Sequence, residues 1–286
     1  MAPPSRAWPA PAKLNLFLHI LGRRPDGYHE LQTCFQFVDL CDEISIEVRD
    51  DGRIRRMVKI DSVDEDADLC VRAARALQAA ADCPLGADIS VLKRIPLGGG
   101  LGGGSSDAAT CLVALNHLWK INWPVDDIAA LGLKLGADVP VFVRGRVAWA
   151  EGVGERLTAL YPPLAPAETN YLILKPKIAV STAEVFQDID LTRNSLPITI
   201  HGFLGSGGRN DCVGVVRRRY PEVARALDWL SAYGPARLTG TGACVFLAVE
   251  TKDRGREIVG KLPPEFDAFL ARGLNDSPLL ERLATG

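Results

Sequence analysis

No run of about 18 apolar residues occurs anywhere in the chain of 286, so no membrane-spanning helix is expected. A basic surplus is missing as well: 33 Lys+Arg stand against 35 Asp+Glu, a formal net charge of −2. A general nucleic-acid binder needs such a surplus to neutralise phosphates, so that class is set aside. One local basic pocket for one anionic ligand is not excluded. The seven cysteines (Cys34, Cys41, Cys70, Cys83, Cys111, Cys212 and Cys244) form no CxxC pair. Zinc-site spacing is absent and a disulfide framework is not expected. Free thiols, most of them in the core, suit a reducing cytoplasm. Residues 1–11 are rich in Pro and Ala, lack the apolar segment of a secretory signal, and are expected to form a short loop. There is no internal repeat.

What is present is 47% hydrophobic and 24% charged, the balance of an ordinary globular protein long enough for two moderate domains. Over residues 12–20, Leu14, Leu16 and Leu18 alternate with Lys13, Asn15, Phe17 and His19, which predicts a half-buried strand with a polar face. Asp26-Gly27 marks a turn, and residues 30–38 and 43–49 read as two further strands. Helical periodicity covers 69–81 and 107–120, and Pro124 with Asp126 opens a third helix. A strand is predicted over 89–95, and the prolines near residue 162 read as a linker. Beyond it come a strand at 171–175, a polar loop at 201–210 and a helix from Pro221. Residues 237–250 read as strand, glycine turn, strand. The order is α+β rather than a strict βαβ alternation, with domains expected at 1–160 and 161–286.

Six of the seven residues from 98 to 104 are glycine, in Pro96-Leu97-Gly98-Gly99-Gly100-Leu101-Gly102-Gly103-Gly104-Ser105-Ser106. Without Cβ atoms, successive backbone N–H groups can turn toward one anion. The run leads from a predicted strand into a predicted helix, whose N-terminus adds free N–H groups and a positive dipole end. Ser105 and Ser106 can cap that helix or offer hydroxyls to a phosphate or its magnesium ion. This is a phosphate cradle. It is not the Walker type, which requires Lys-Ser/Thr after the last glycine. It is a poor dinucleotide fingerprint, because Asp126 and Asp127 open a helix where an acidic strand end is needed. A flexible linker rarely sits between a strand and a well-patterned helix.

Read from the residues alone, Asp138 in the apolar stretch 135–142 is either a reacting carboxylate or a local cap before Pro140. Lys13 either faces a site together with Asn15 or lies on a solvated strand face.

The glycine run with Ser105-Ser106-Asp107-Ala108-Ala109 resembles the second motif of the GHMP kinases. Pro11-Ala12-Lys13-Leu14-Asn15-Leu16 resembles the first motif, and Leu238-Thr239-Gly240-Thr241-Gly242-Ala243-Cys244-Val245-Phe246 the third. The triple glycines flanking Leu101, with Asp26-Gly27-Tyr28-His29 and Gly136-Ala137-Asp138-Val139-Pro140, resemble the branch that acts on 4-diphosphocytidyl-2-C-methyl-D-erythritol. The resemblance implies a two-domain fold, with an N-terminal ribosomal-protein-S5-like domain and a C-terminal ferredoxin-like α+β domain. It implies transfer of the γ-phosphate of ATP, with Mg2+, to the 2-hydroxyl of that substrate, a step in non-mevalonate isoprenoid precursor synthesis. Asp138 would be the catalytic base or the group that positions the hydroxyl, and Lys13 the cation that keeps it ionised and oriented or that stabilises charge near the transferred phosphoryl group. ATP would lie along Pro96, Gly98 to Gly104 and Ser105-Ser106, with Lys93 near the adenine end. Asp68 departs from the Asn usual there, which keeps an acceptor and loses a donor. Asn15, Tyr28, His29, Thr182 and Phe186 would bind the acceptor, Phe186 closing one face of the cytosine ring. Another small alcohol such as mevalonate or homoserine is the alternative acceptor. A non-catalytic nucleotide- or RNA-binding protein is the alternative class.

Overall fold

The computed structural model describes residues 7–58 and 64–285. The first half of the chain runs β1 (Trp8–Arg23), β2 (His29–Arg49), β3 (Ile54–Arg56), α1 (Leu69–Ala80), β4 (Gly86–Leu92), α2 (Gly103–Leu118), α3 (Val125–Leu133), α4 (Val139–Arg144), β5 (Ala148–Gly152) and β6 (Arg156–Ala159). The second half runs β7 (Asn170–Pro176), α5 (Thr182–Gln187), α6 (Ile200–Ser206), α7 (Val213–Arg219), α8 (Pro221–Ser231), β8 (Arg237–Leu238), β9 (Val245–Val249), α9 (Lys252–Val259), β10 (Phe266–Leu274) and α10 (Pro278–Thr285). This is the α+β order expected.

The long strand β2 is the spine. Along one edge it pairs with β1, and along the other with β5, β10 and β4 in succession. The sheet continues in the order β3-β4-β2-β10-β7-β9-β8, so β10 joins the sheet of the second half to that of the first. One core lies where α1, α2 and α4 cover the first sheet, with Leu77, Leu112, Leu115 and Phe142 buried. Another packs α7 and α8 on β7 and β9 through Val216, Val223, Leu230 and Leu247. A third, at the junction, joins Leu14, Phe17 and Leu101 to Ile173, Cys244 and Phe246. The motifs converge there.

Several expectations need correction. The loop expected over residues 1–11 is strand from Trp8 onward, because Trp8 and Ala10 are core residues and the segment pairs with residues 41–44 of β2; residues 1–6 lie outside the described residues. Its prolines Pro9 and Pro11 are tolerated because this end of β1 has a strand partner on one side alone. The strands expected at 30–38 and 43–49 are one strand, since β2 bulges where Asp39 and Leu40 fall between the partners of Pro11 and Ala12, and the ladder continues on either side. β1 is buried on both faces, not half-buried, because its polar side chains Lys13 and Asn15 are covered by the glycine loop, Asp138 and Thr33. Its free edge is also closed at Leu18, which donates to Arg209 O and accepts from Asp211 N, both at 2.9 Å. The loop expected at 201–210 begins as α6, capped by the Thr199 hydroxyl and anchored by buried Phe203. The helix expected from Asp107 starts four residues earlier, inside the glycine run.

Candidate active site

The glycine loop is clamped from two sides. Lys13 N donates to Leu101 O at 2.9 Å from β1; Ala243 N and Cys244 N donate to Gly98 O and Gly99 O at 3.2 and 3.0 Å from the third motif. Gly98, Gly100 and Gly102 have φ of +64°, +74° and +75°, and Gly102 is the N-cap of α2. At Gly100 the glycine is obligatory on space as well, because a Cβ would sit 2.5 Å from Thr239 O. The loop encloses a cavity of about 210 Å³ lined by Lys93, Pro96, Gly98 to Gly104 and Ser105. Because α2 begins at Gly103, both serines lie in its first turn instead of capping it. Ser105 faces the cavity; Ser106 is fully buried and its hydroxyl has no hydrogen-bond partner.

Lys93 is held between two buried carboxylates, Asp42 and Asp107, the latter at 2.7 Å. Asp42 also accepts from Arg94 N and Ile95 N, and so pins the strand-to-loop junction. Burial pushes the Asp107 carboxyl up to about 7, against the pull of the Lys93 ammonium. Asp68 caps α1 by accepting from Cys70 N and pairs with Arg56 at 3.1 Å. Lys93, Asp68 and Asp107 line a second cavity of about 200 Å³ with Leu69 and Leu97, next to the glycine loop.

Lys13 is 4% exposed. Its ammonium donates to Asn15 Oδ1 at 2.5 Å and Gly100 O at 3.2 Å, and lies 3.3 Å from Asp138 Oδ2. The Phe35 ring lies beneath it, 5.3 Å from centroid to Nζ. Asp138 stands at the N-cap of α4 but makes no side-chain capping bond, so the purely local role is not the one the fold gives it. Its carboxylate keeps 32% exposure, open to a cavity of about 320 Å³ that also receives Lys13, Asn15, Gly100 and Thr241.

This cavity shares Leu31, Ala137, Val153, Thr182 and Phe186 with an apolar neighbour of about 370 Å³ lined by Tyr28 and His29. His29 and Phe186 do not stand on opposite sides of an open slot. They stack on one another at 5.1 Å and 28°, forming one wall, while Tyr28 is 64% exposed across the mouth. Arg193 donates from Nε to His29 Nε2 at 3.0 Å and fixes its orientation. Burial, then Arg193 and Arg23, hold the His29 imidazole below its ordinary pKa. Thr182 shares a 2.9 Å hydroxyl contact with Thr241 of the third motif.

The structure thus brings the expected residues into one connected cleft, apart from Ser106. It adds Arg193, Thr33 and Asp42, and places Thr241 of the third motif beside Thr182. In the sequence Asp42 reads as a break between two strands. Arg193 carries no sequence signal, because it sits in an irregular loop. Among the described residues no cluster of three or more His, Cys, Asp or Glu could hold a metal ion. No helix among them is long and apolar enough to cross a membrane.

Comparison with known proteins agrees with this geometry. The model of the GHMP kinase N-terminal domain matches residues 68–146, and that of the C-terminal domain residues 190–268. The 4-diphosphocytidyl-2-C-methyl-D-erythritol kinase of Pseudomonas savastanoi pv. phaseolicola is 55% identical over 283 residues, 99% of this chain and 97% of its own. That of Pseudomonas aeruginosa strain LESB58 is 56% identical over 277 residues, 97% of each chain. A crystal structure of 4-(cytidine 5'-diphospho)-2C-methyl-D-erythritol kinase superposes with a TM-score of 0.82 at 32% identity, covering 93% of this chain and 98% of that one. A mevalonate kinase shares the fold, at a TM-score of 0.71 and 17% identity over 95% of this chain and 100% of its own. With three motifs on one cleft and relatives matched over nearly their full length, the chain belongs to the GHMP kinases and, within them, to the 4-diphosphocytidyl-2-C-methyl-D-erythritol kinase family.

Proposed function

We propose that the protein transfers the γ-phosphoryl group of ATP to the 2-hydroxyl of 4-diphosphocytidyl-2-C-methyl-D-erythritol, with Lys13 and Asp138 as the catalytic pair. The observation that carries this reading is the Lys13–Asp138 contact at 3.3 Å, in a cavity bordered by Gly100 and Gly102 and continuous with the aromatic pocket. In the reaction the acceptor oxygen bonds to the γ-phosphorus and the bond to the bridging oxygen breaks. ADP leaves, and the hydroxyl proton goes to the Asp138 carboxylate. Lys13 holds that carboxylate in place. The amides of the glycine loop and of the first turn of α2 receive the phosphates. Magnesium would neutralise phosphate charge when bound. The donor set fits an ion borne mainly by phosphates, with the Ser105 hydroxyl beside it, and not a protein-built cage.

The adenine end of ATP fits the cavity beside Lys93, between Leu69 and Leu97. The cytosine ring fits the wall made by His29 and Phe186, with Tyr28 over it and Thr182 and Asn15 toward the methylerythritol hydroxyls. This pocket disfavours mevalonate and homoserine, which bring no ring to cover its apolar surface. Two lobes dividing at 160/161, with the cleft between them, match this arrangement. Seven free cysteines suit a cytoplasmic setting.

ADP release with MgATP and each of the three acceptors tests the reading. Turnover is expected with the cytidyl substrate, and Asp138→Asn should lower kcat by about 100-fold or more with little change in KM. Turnover with mevalonate or homoserine instead would overturn the substrate assignment. An undiminished Asp138→Asn kcat would remove Asp138 from catalysis.

A further inference from the structure

The orientation of Lys13 is set one layer behind it. Three steps along β1, from Asn15 to Leu18, match two along β2, from Phe35 to Thr33, so β1 carries an extra residue here. In this bulge the carbonyls of Leu16 and Phe17 take side-chain donors. Arg237 Nη1 reaches Leu16 O at 3.1 Å, and the Thr33 hydroxyl donates to Phe17 O. A threonine hydroxyl has one proton. With that proton committed to Phe17 O, Thr33 can only accept from the Asn15 amide, whose Nδ2 lies 3.0 Å away. This fixes which way round the amide stands: nitrogen toward Thr33, oxygen toward the Lys13 ammonium at 2.5 Å. The Asn15 backbone is tied separately, its N–H donating to Thr239 Oγ1 at 3.0 Å.

We infer that Thr33 is a positioning residue of the phosphoryl-transfer site, acting through the Asn15 amide to hold Lys13 against Asp138. The inference rests on the Lys13–Asp138 reading above. Thr33 is 1% exposed, at the floor of the cavity that Lys13, Asn15 and Asp138 line, and its hydroxyl is committed to Phe17 O and the Asn15 amide. Losing its hydroxyl leaves the Asn15 amide and the Phe17 carbonyl each short of a partner, and the amide is then free to turn.

The test is a double-mutant cycle on kcat with ATP and the cytidyl acceptor. Thr33→Val keeps size and shape and removes the hydroxyl. It is expected to lower kcat about 10- to 100-fold with KM for ATP unchanged. Thr33→Ser, which keeps the hydroxyl, is expected to stay within about threefold of wild type. In an Asn15→Ala background Thr33→Val should have almost no further effect, because the group it orients is gone. Full additivity of the two changes, or Thr33→Ser as impaired as Thr33→Val, would overturn the inference in favour of simple packing. If Thr33→Val does not fold, Thr33→Cys, small and weakly hydrogen-bonding, takes its place against Thr33→Ser. Lys13→Met separates this inference from the reading beneath it. Loss of turnover in Lys13→Met with none in Thr33→Val sinks the role of Thr33 alone, whereas an active Lys13→Met sinks the catalytic pair itself.

Discussion

Replacing Gly100 by alanine should damage the enzyme far more than the same change four residues later. Gly100 has φ of +74°, in the left-handed region where a side chain costs about 1–2 kcal/mol. The added Cβ would also stand 2.5 Å from Thr239 O and 2.9 Å from Gly242 O. Both are backbone atoms, so no rotamer change makes room. Overpacking of this kind costs about 1–3 kcal/mol more. The total, about 2–5 kcal/mol, corresponds to a fall in Tm of about 3–8 °C for a chain of this size. If the loop moves instead, the damage appears in catalysis, because Gly100 O accepts from both Lys13 and Thr239. At Gly104 the nearest atom to an added Cβ is the end of the Leu69 side chain at 3.3 Å, and the residue is already helical. Alanine there should leave stability unchanged or raise it slightly, by up to about 0.5–1 kcal/mol. Thermal denaturation and steady-state kinetics on both variants decide the matter. Wild-type Tm and kcat in Gly100→Ala would refute the account of how the loop is held.

Phe186→Ala should raise KM for the cytidyl acceptor by about tenfold or more while KM for ATP stays constant, since the lost ring contacts are worth about 1.5–3 kcal/mol; titration calorimetry with each ligand checks the split. The folded state holds His29 below its ordinary value of 6.5, so between those two points the unfolded chain binds more protons. The stabilisation is present above pH 6.5 and is lost as pH falls through the folded-state value. His29→Gln should therefore flatten the decline of Tm between pH 7 and 5, and an unchanged slope would exclude His29 as its source.

The parts of the fold legible in the sequence were those with a strong period or a defining turn. α1, α3, α8, β7 and the strand-turn-strand of β8 and β9 stand close to where apolar spacing and punctuation placed them. The errors have physical sources. Gly103 and Gly104 read as loop because glycine has poor intrinsic helix propensity, yet the helix begins there, where the first turn needs no side chain. The 21 residues of β2 read as two strands because Asp39 and Asp42 interrupt the apolar pattern. Asp42 is instead a buried anchor for residues 93–95, satisfied by partners some 50 residues away in sequence. The site was legible where local motifs carry it, as at Lys13, Asp138 and the glycine run. Thr33 and Arg193 were not, because each acts through a contact with a distant segment, Thr33 to Asn15 and Arg193 to His29.

The hydrogen-bond inventory at Lys13 also divides the labour in the site. An ammonium has three hydrogens. Asn15 Oδ1, Gly100 O and the Asp138 carboxylate are three acceptors within reach, and the side chain is nearly sealed from solvent. No hydrogen remains to follow the phosphoryl group unless one of these contacts is given up. In the proposed reaction, charge developing on the transferred group would therefore fall to the amides of the glycine loop and the first turn of α2, with a magnesium ion adding to them when bound. The loop that carries those amides has Gly98, Gly100 and Gly102 in left-handed conformations and is clamped by β1 on one side and the third motif on the other. On the proposed reading Lys13 fixes the base and the glycines receive the charge, and Gly100, whose carbonyl meets Lys13 and Thr239 together, would couple the two functions.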